Sequence, residues 1–309
     1  PRRELRQTSH AYNLRFSNIN IINVGFLAVG LTGAYNCWVD GLYVRSSKVV
    51  LGCSPGESAF FRPWKGVDQV GAKRNITVCN LVGVDVRGTG IGLAGASSKE
   101  GGYLHVTGNT PRDQTDLVDF CIDGFALDGG ESGGFGIQSS AEKMTVRNGH
   151  ITNFVRGIAA THDCTRMTID SVDIFSCKEE ALQLGQDSSI WNPPRQKMGI
   201  VRNCFMAGNS LSRPGVYGAV QIDLCTGFII EGNRFGYELG HDGIAETTQG
   251  PALDLGARAR NVVCRCNHIA GLGPGAMAYK NRSSSGQGNT VEHPSGESST
   301  YGPWDVLKR

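Results

Sequence analysis

The sequence predicts an all-β solenoid, in which short strands stack coil upon coil, and three observations lead to this prediction. Glycine is abundant, with 43 residues in a chain of 309. Short alternating runs of Val, Ile, Thr and Phe each end at Gly or Asn and leave no room for a helix. The runs that begin at Met144 and Met167 start 23 residues apart and later intervals grow to about 30, a period typical of one solenoid coil.

Each repeat contains two predicted strands. The first strand of successive repeats begins near Asn75, Asp119, Lys143, Arg166, Met198, Gly227 and Arg260. The second begins near Thr89, Gly134, Arg156, Glu180, Gly218, Pro251 and Gly275. One coil buries only a narrow apolar face, so stacking on its neighbours must form the core. Asn80, Asn148 and Asn203 share one repeat position, where Asn tolerates a left-handed corner and its amide can bond to adjacent coils.

Composition and charge exclude several classes of protein. The chain is 39% hydrophobic and carries a net charge of +2, which excludes intrinsic disorder. Its charges are scattered, whereas nucleic-acid binders usually carry a basic stripe, so no nucleic-acid partner is expected. The most apolar stretch, from Ile19 to Leu31, is interrupted by Asn20, Asn23 and Gly25 and is too short to cross a bilayer. We therefore expect no membrane partner.

These repeats resemble those of the right-handed parallel β-helix group, the pectate-lyase-like superfamily, whose short repeats have the form I-x-x-N-x-F/I. The resemblance covers roughly residues 13–282 and implies a right-handed parallel β-helix of about nine to ten coils. Residues 1–309 would form one domain, with 283–309 as a capping tail. Members of the group include polysaccharide lyases, polygalacturonase-type hydrolases, uronan epimerases and phage tailspikes, so the resemblance implies a polysaccharide partner. The Trp-Ile-Asp-His, Arg-x-Pro-x-x-Arg and Asn-Thr-Asp motifs of individual families are absent from this sequence.

The first residues and the cysteines lead to expectations about the extent of the chain, its location and its thiols. Pro1 to Gln7 has no signal-peptide pattern, and we expect the chain to be a fragment of a longer one. An extracellular or virion-surface location is favoured over the cytoplasm. Most of the ten cysteines are expected to be buried thiols, because a large stacked core does not need disulfides. Cys264 and Cys266 lack a second nearby pair, so no zinc site is expected.

Outward positions of the second strand form the candidate binding surface. Aligning these strands by their apolar residues predicts one outward row of Gln138, Ala159, Gln183, Gln221, Asp254 and Ala278. A second row, two residues further on, holds Ser140, Thr161, Gly185, Asp223, Gly256 and Lys280. Coils stack ~4.8 Å apart, so a sugar polymer on this face would meet several of these side chains at once. Gln183, Gln221 and Lys280 are therefore predicted to bind substrate.

Asp223 and Asp254 are the predicted catalytic pair. As diagonal neighbours on adjacent coils, their separation should be ~7–8 Å, within the ~6.5–9.5 Å typical of inverting glycosidases. One carboxyl group would act as general acid and the other would activate water. The alternative is that both are solvated strand residues paired with Lys280. A Ca²⁺ ion bridging substrate carboxylates to this pair is also left open, and no other cofactor or metal is expected.

Residues on inserted loops complete the candidate site. His241, on a glycine-flanked loop before Asp254, could serve as general acid or base, and Glu246 could replace either aspartate. A turn stabilised by local hydrogen bonds is the alternative for this loop. Trp191 and Tyr217 could stack on sugar rings, and Arg195 could bind an anionic substrate.

The leading prediction is a glycoside hydrolase acting on a glycan laid along the β-helix face. A polysaccharide lyase or uronan epimerase, using His241 or a Lys/Arg pair, is the first alternative. A trimeric tailspike that binds host glycans is the second, and a purely structural or adhesive β-helix is the third.

Overall fold

The computed structural model describes residues 11–31, 34–53, 75–93, 119–139, 143–160, 165–185, 196–236, 248–272, 276–283 and 287–292. These residues form strands, turns and bends but no helix. Seventeen of the strands belong to one sheet in which every pairing is parallel. The prediction of an all-β solenoid is thus confirmed.

The strands follow one another around successive coils. Five long ones are β2 (Arg15–Gly30), β4 (Cys37–Cys53), β5 (Ile76–Leu93), β6 (Phe120–Ser139) and β7 (Met144–Ala160). The later coils contain β8 (Thr165–Phe175), β9 (Leu182–Leu184), β10 (Gln196–Arg202), β11 (Phe205–Ala207), β12 (Val220–Ile222), β13 (Cys225–Glu231), β14 (Arg234–Phe235), β15 (Leu253–Leu255), β16 (Val263–Arg265), β17 (His268–Ile269), β18 (Tyr279–Asn281) and β19 (Thr290–Val291). The short strands β1 (Ala11–Tyr12) and β3 (Ala34–Tyr35) pair separately.

Three parallel ladders run along the solenoid, and the pairings of β7 show how they arise. The start of β7 pairs with the start of β8, its middle with the end of β8, and its last residues with β9. We call these ladders face A, face B and face C. In the later coils face A is formed by β10, β13, β16 and β19, face B by β11, β14 and β17, and face C by β12, β15 and β18.

A single residue with positive φ forms the corner between faces A and B in nine successive coils. These residues are Asn18, Gly41, Asn80, Gly124, Asn148, Ser171, Asn203, Gly232 and Cys266. Asn and Gly predominate because they adopt the left-handed conformation at low steric cost. Where Gly follows Asn, the corner is also tight: a Cβ on Gly41 would approach Asn18 Oδ1 to 2.9 Å. The predicted role of Asn80, Asn148 and Asn203 as corner residues is confirmed.

Buried asparagines join neighbouring coils just beyond this corner. Asn233 Oδ1 accepts from the Cys204 amide at 3.0 Å, and Asn233 Nδ2 donates to the Val201 carbonyl at 3.0 Å. The Asn267 side chain repeats this on the next coil, accepting from the Asn233 amide at 2.9 Å and donating to the Ile230 carbonyl at 2.9 Å. These side chains therefore provide hydrogen-bond partners for buried backbone amides and carbonyls beside the corner.

The core consists of the inward residues of the three faces. Its largest fully buried side chains include Phe120, Phe154, Phe228 and Phe235. Full burial of each contributes about 1.5–3 kcal/mol. Cys177, Cys204, Cys225 and Cys264 are thiols within this core, as predicted for most cysteines. Face A continues to Val291, beyond the predicted end of the coils, while most of the predicted tail lies outside the described residues.

Candidate functional site

Face C carries the predicted outward row in strand register. Gln183, Gln221, Asp254 and Lys280 are aligned partners on four adjacent coils. The row continues through Ala159 and Gln138 on the two preceding coils. The glutamines are partly exposed, whereas Ala159 is fully buried. In the three earlier coils the same position is held by Gly30, Gly52 and Gly92, so that part of the row presents backbone alone.

The last coil differs from the prediction by two residues. We expected Ala278 beside Asp254 and Lys280 beside Asp223, but Lys280 pairs with Asp254 and Ala278 is buried. The reason is that Tyr279, and not Met277, occupies the position opposite Leu253. Because side chains alternate with a period of two, this shift leaves Lys280 on the outward face while changing its neighbour.

Asp254 is only 5% exposed, and both of its oxygens contact cations of the last coil. Arg282 donates from Nε and from a terminal nitrogen to Oδ1, each at 3.0 Å. Lys280 Nζ lies 3.7 Å from Oδ2. Asp254 therefore holds these two cations at the C-terminal end of the polar row.

Asp223 occupies the turn that follows β12 and caps the backbone of two coils. Its Oδ1 accepts from the Leu224 amide at 3.0 Å and from the Arg258 amide at 3.3 Å. The guanidinium of Arg258 donates to Oδ2 at 3.3 Å. The side chain lies over Gly256, where a Cβ would approach Asp223 Cγ to 2.5 Å. Since Gln221 aligns with Asp254, Asp223 is the diagonal neighbour of Asp254, in the predicted arrangement.

The remaining predicted residues are divided between described and undescribed parts of the chain. His241, Glu246, Trp191 and Arg195 lie outside the described residues. Tyr217 is half-buried in the turn before β12, and its amide donates to Ser210 Oγ at 3.0 Å. Its carbonyl lies so close to Gly250 that a Cβ there would clash, which places Tyr217 against the next coil. It thus lies at the edge of face C, three positions before Val220.

One acceptor in the polar row is buried without a donor. Among the residues that the structure describes, none donates a hydrogen bond to Gln221 Oε1. Leaving a buried carbonyl oxygen unbonded costs about 1–3 kcal/mol. Gln221 lies between Gln183 and Asp254, in the middle of the polar part of face C.

Face B carries a second outward row that sequence reasoning missed. His150, Asp173, Phe205, Arg234 and His268 are aligned partners on five adjacent coils. Beside them, the Phe175 ring lies 5.4 Å from that of His150 and 5.0 Å from that of Phe205. Arg234 stacks over Phe205 at 5.0 Å. The alternating pattern in the second half of each first strand was the signal that could have identified this row.

The electrostatics of this row centre on Asp173. Partial burial raises the pKa of Asp173, and the nearby His150 opposes that rise. The row thus combines an aromatic surface with a histidine, a carboxyl group and a guanidinium. Such a surface suits a ligand with both apolar and hydrogen-bonding edges.

The described residues also bear on metal binding and on membrane insertion. No group of three or more His, Cys, Asp or Glu side chains in these residues is arranged to hold a metal ion. Nor does the described part of the chain contain a helix with the length and apolarity needed to cross a membrane. Fold and side chains together define the class as an all-β solenoid with a polar ladder along one face. No family model, curated protein or solved structure matches this chain.

Proposed function

We propose that this protein binds a polysaccharide along face C. The observation that carries the proposal is the register of Gln138, Gln183, Gln221, Asp254 and Lys280, which lie in one row along the solenoid. Between Gln138 and Lys280, a linear ligand lying parallel to the solenoid axis would pass a polar residue on five of six coils, at a repeat of ~4.8 Å. Ala159 is the one apolar interruption of the row.

The side chains of the row suit a ligand rich in hydroxyl groups. A glutamine amide both donates and accepts, and a sugar hydroxyl does the same. The Gln221 side chain is partly exposed but its Oε1 atom is buried, so a sugar hydroxyl reaches that atom only after the side chain rotates outward. Lys280 and Arg282 are each nearly half exposed and supply donors at one end. The strands hold these groups rigidly, which lowers the entropic cost of binding.

Hydrolysis of the bound glycan is the second candidate function. It is favoured by the diagonal placement of Asp223 and Asp254 on adjacent coils. Both carboxylates contact arginines: Asp223 contacts Arg258, and Asp254 contacts Arg282. Catalysis therefore requires that the substrate displace these arginines or bind to them. Glycan binding needs no such exchange and is therefore the proposal that the geometry supports better. Kinship with the pectate-lyase-like superfamily is part of this proposal and is supported by the three parallel ladders and the asparagine corners.

A panel of neutral and acidic polysaccharides tests the proposal. Binding is measured by glycan array and calorimetry for the wild type and for Gln183→Ala/Gln221→Ala. The control is Thr145→Ala/Thr168→Ala, which removes two outward side chains of face A on adjacent coils. We expect about tenfold or greater loss of affinity in the glutamine variant and no change in the control. Equal affinity of all three proteins, or no ligand in the panel, would contradict the proposal.

The same panel separates binding from cleavage. New reducing ends without the ultraviolet absorbance of an unsaturated uronate indicate hydrolysis, whereas reducing ends with that absorbance indicate a lyase. Asp223→Asn should abolish product and retain binding if Asp223 is catalytic. Binding by the wild type without product in either readout would leave the protein a glycan-binding solenoid.

A further inference from the structure

Face A carries a row of charges that alternate in sign over six consecutive coils. The row consists of the residue that immediately precedes the corner between faces A and B on each coil. In order along the solenoid these residues are Asp123, Arg147, Asp170, Arg202, Glu231 and Arg265. Each residue is the aligned strand partner of the next, so the row is continuous.

Within the chain these charges form three ion pairs. Arg147 contacts Asp123 at 2.8 Å, Arg202 contacts Asp170 at 2.8 Å, and Arg265 contacts Glu231 at 2.7 Å. The arginine side chains remain 45–51% exposed and the acidic ones 20–28% exposed. Each guanidinium therefore keeps donors on its solvent side, and the row presents alternating charge outward.

The row has six charges that alternate in sign. Read in the reverse direction, it therefore carries the opposite charge at each position. If a second copy is laid antiparallel on face A, Asp123 faces Arg265 and Arg147 faces Glu231 of the other copy. Asp170 and Arg202 face each other across the centre. All six contacts then join opposite charges. A second copy laid parallel and in register would instead oppose like charges at every coil, which is unfavourable.

A strip of threonine and aliphatic side chains runs beside the charged row. The neighbouring outward row of face A contains Thr145, Thr168, Ile200, Ile229 and Val263, all half-buried. Met198, at the left-handed corner where face A begins, is 58% exposed and has the largest exposed fraction among the described large apolar side chains. It lies on the same coil as Arg202, close to the centre of the antiparallel arrangement. An apolar centre with charged groups beside it is the usual composition of a protein interface.

We propose that face A binds a second copy of this chain, antiparallel, about a two-fold axis between Asp170 and Arg202. The overlap would extend over about eight coils spaced ~4.8 Å apart and about five residues of ~3.3 Å each, or roughly 600 Å² per copy. This is somewhat less than the ~800 Å² per partner of a standard stable interface, so the dimer is weak and depends on salt. Face C, on another side of each coil, stays open in it.

Exchanging the charges of one ion pair tests the arrangement, because an exchange keeps the pair within the chain. Asp123→Arg/Arg147→Asp retains that pair but places like charges opposite each other at four of the six contacts between copies. The control is Asp170→Arg/Arg202→Asp, which retains its pair and keeps every contact between copies complementary. Within the chain it places like charges side by side at two positions of the row, beside Arg147 and Glu231, and the test exchange does so at one, beside Asp170. Both exchanges remove one equivalent hydrogen bond from a corner asparagine, Asn148 or Asn203.

Sedimentation velocity and equilibrium, over a range of protein concentration and salt, measure the dimer. We expect a wild-type dimer that dissociates as salt rises, a control dimer of similar affinity, and about tenfold weaker association of Asp123→Arg/Arg147→Asp. Glu231→Arg/Arg265→Glu should be equally weak alone. A mixture of these two weak variants restores complementarity at all six contacts and should form a heterodimer.

Several outcomes would overturn the proposal. A wild type that remains monomeric at high protein concentration and low salt excludes the interface. A trimer, or equal association of Asp123→Arg/Arg147→Asp and the control Asp170→Arg/Arg202→Asp, also contradicts it. Circular dichroism of each variant confirms that it is folded, and a mixture that fails to associate while both variants are folded counts against the antiparallel pairing.

Discussion

At the residue scale, buried side chains near the corners of the coils form hydrogen bonds with backbone groups of neighbouring coils. Asn233 is 1% exposed and bonds to backbone groups of Cys204 and Val201 on the preceding coil. It also donates to the Asn267 side chain at 3.0 Å, which links three coils through one pair of amides. The buried asparagines are therefore structural residues whose positions follow from backbone hydrogen bonding.

Replacing Asn233 with alanine should destabilise the protein strongly. Asn233→Ala leaves the Cys204 amide and the Val201 carbonyl buried without partners, which costs about 2–4 kcal/mol in total. Urea unfolding measures the free energy of unfolding. The control is Asn148→Gly, which keeps the left-handed corner and removes only the exposed hydrogen bond to a carboxylate oxygen of Asp123 at 2.7 Å, and it should cost less than about 1 kcal/mol. A loss from Asn233→Ala no larger than that of the control would show that water satisfies these groups.

The two cysteines of the Cys264–Cys266 pair should differ in reactivity. Burial raises the pKa of Cys264 to about 12, opposed by hydrogen bonds from Tyr279 and Asn267, so Cys264 is a neutral thiol at pH 8. Cys266 is exposed at the corner between faces A and B. We expect iodoacetamide to label Cys266 in the folded protein and Cys264 only after denaturation, as read by peptide mass spectrometry. Rapid labelling of Cys264 in native protein would contradict its burial.

At the element scale, the charged row of face A predicts a loss of stability in acid. A hydrogen bond from Asn148 is the main cause that lowers the pKa of Asp123. At Asp170, burial raises the pKa, but hydrogen bonds from Asn203, Arg202 and Ser171 outweigh it and the net pKa is lowered. A folded-state pKa below the ordinary value of 3.8 means that stability is present above that pH and is lost as pH falls through the lowered values.

Thermal unfolding between pH 7 and pH 2 measures this effect. The melting temperature of the wild type should hold down to about pH 4 and fall below it. In Asp123→Asn/Asp170→Asn the starting value should be lower and the decline in acid shallower, because two of the titrating groups are gone. An unchanged slope in this variant would show that other carboxylates cause the acid loss.

Also at this scale, the strands were predictable and part of their register was not. Runs with a clear period of two, such as those in β7 and β13, were located correctly because each buries one face. The predicted register of the last coil was wrong by two residues, because Met277 and Tyr279 are both apolar enough for the inward position. The row on face B was missed because its residues differ in chemistry on every coil and align only through the strand pairings. His241 and Glu246 lie on a loop whose placement no periodic pattern determines.

At the scale of the whole molecule, the solenoid places different rows of side chains on separate faces. Each coil contacts only its neighbours, so stability is shared along the axis and each face can carry its own row of side chains. Face C presents the polar row proposed to bind glycan, and face A presents the charged row proposed to bind a second copy. An antiparallel dimer through face A leaves both copies of face C accessible to a polymer. A negative result for glycan binding on face C would therefore not affect the proposed dimer through face A, and the reverse also holds.

Whether a glycan lies along face C can be measured by a nuclear magnetic resonance titration. The ligand is the strongest binder from the polysaccharide panel, and the signals followed are the side-chain amides of Gln183 and Gln221, with Asn148 and Asn203 on the corner beside face A as references. We expect the glutamine amide signals to shift progressively with ligand while the asparagine amide signals stay in place. If saturating ligand leaves the glutamine signals unmoved, or moves only the asparagine signals, the glycan does not lie along face C.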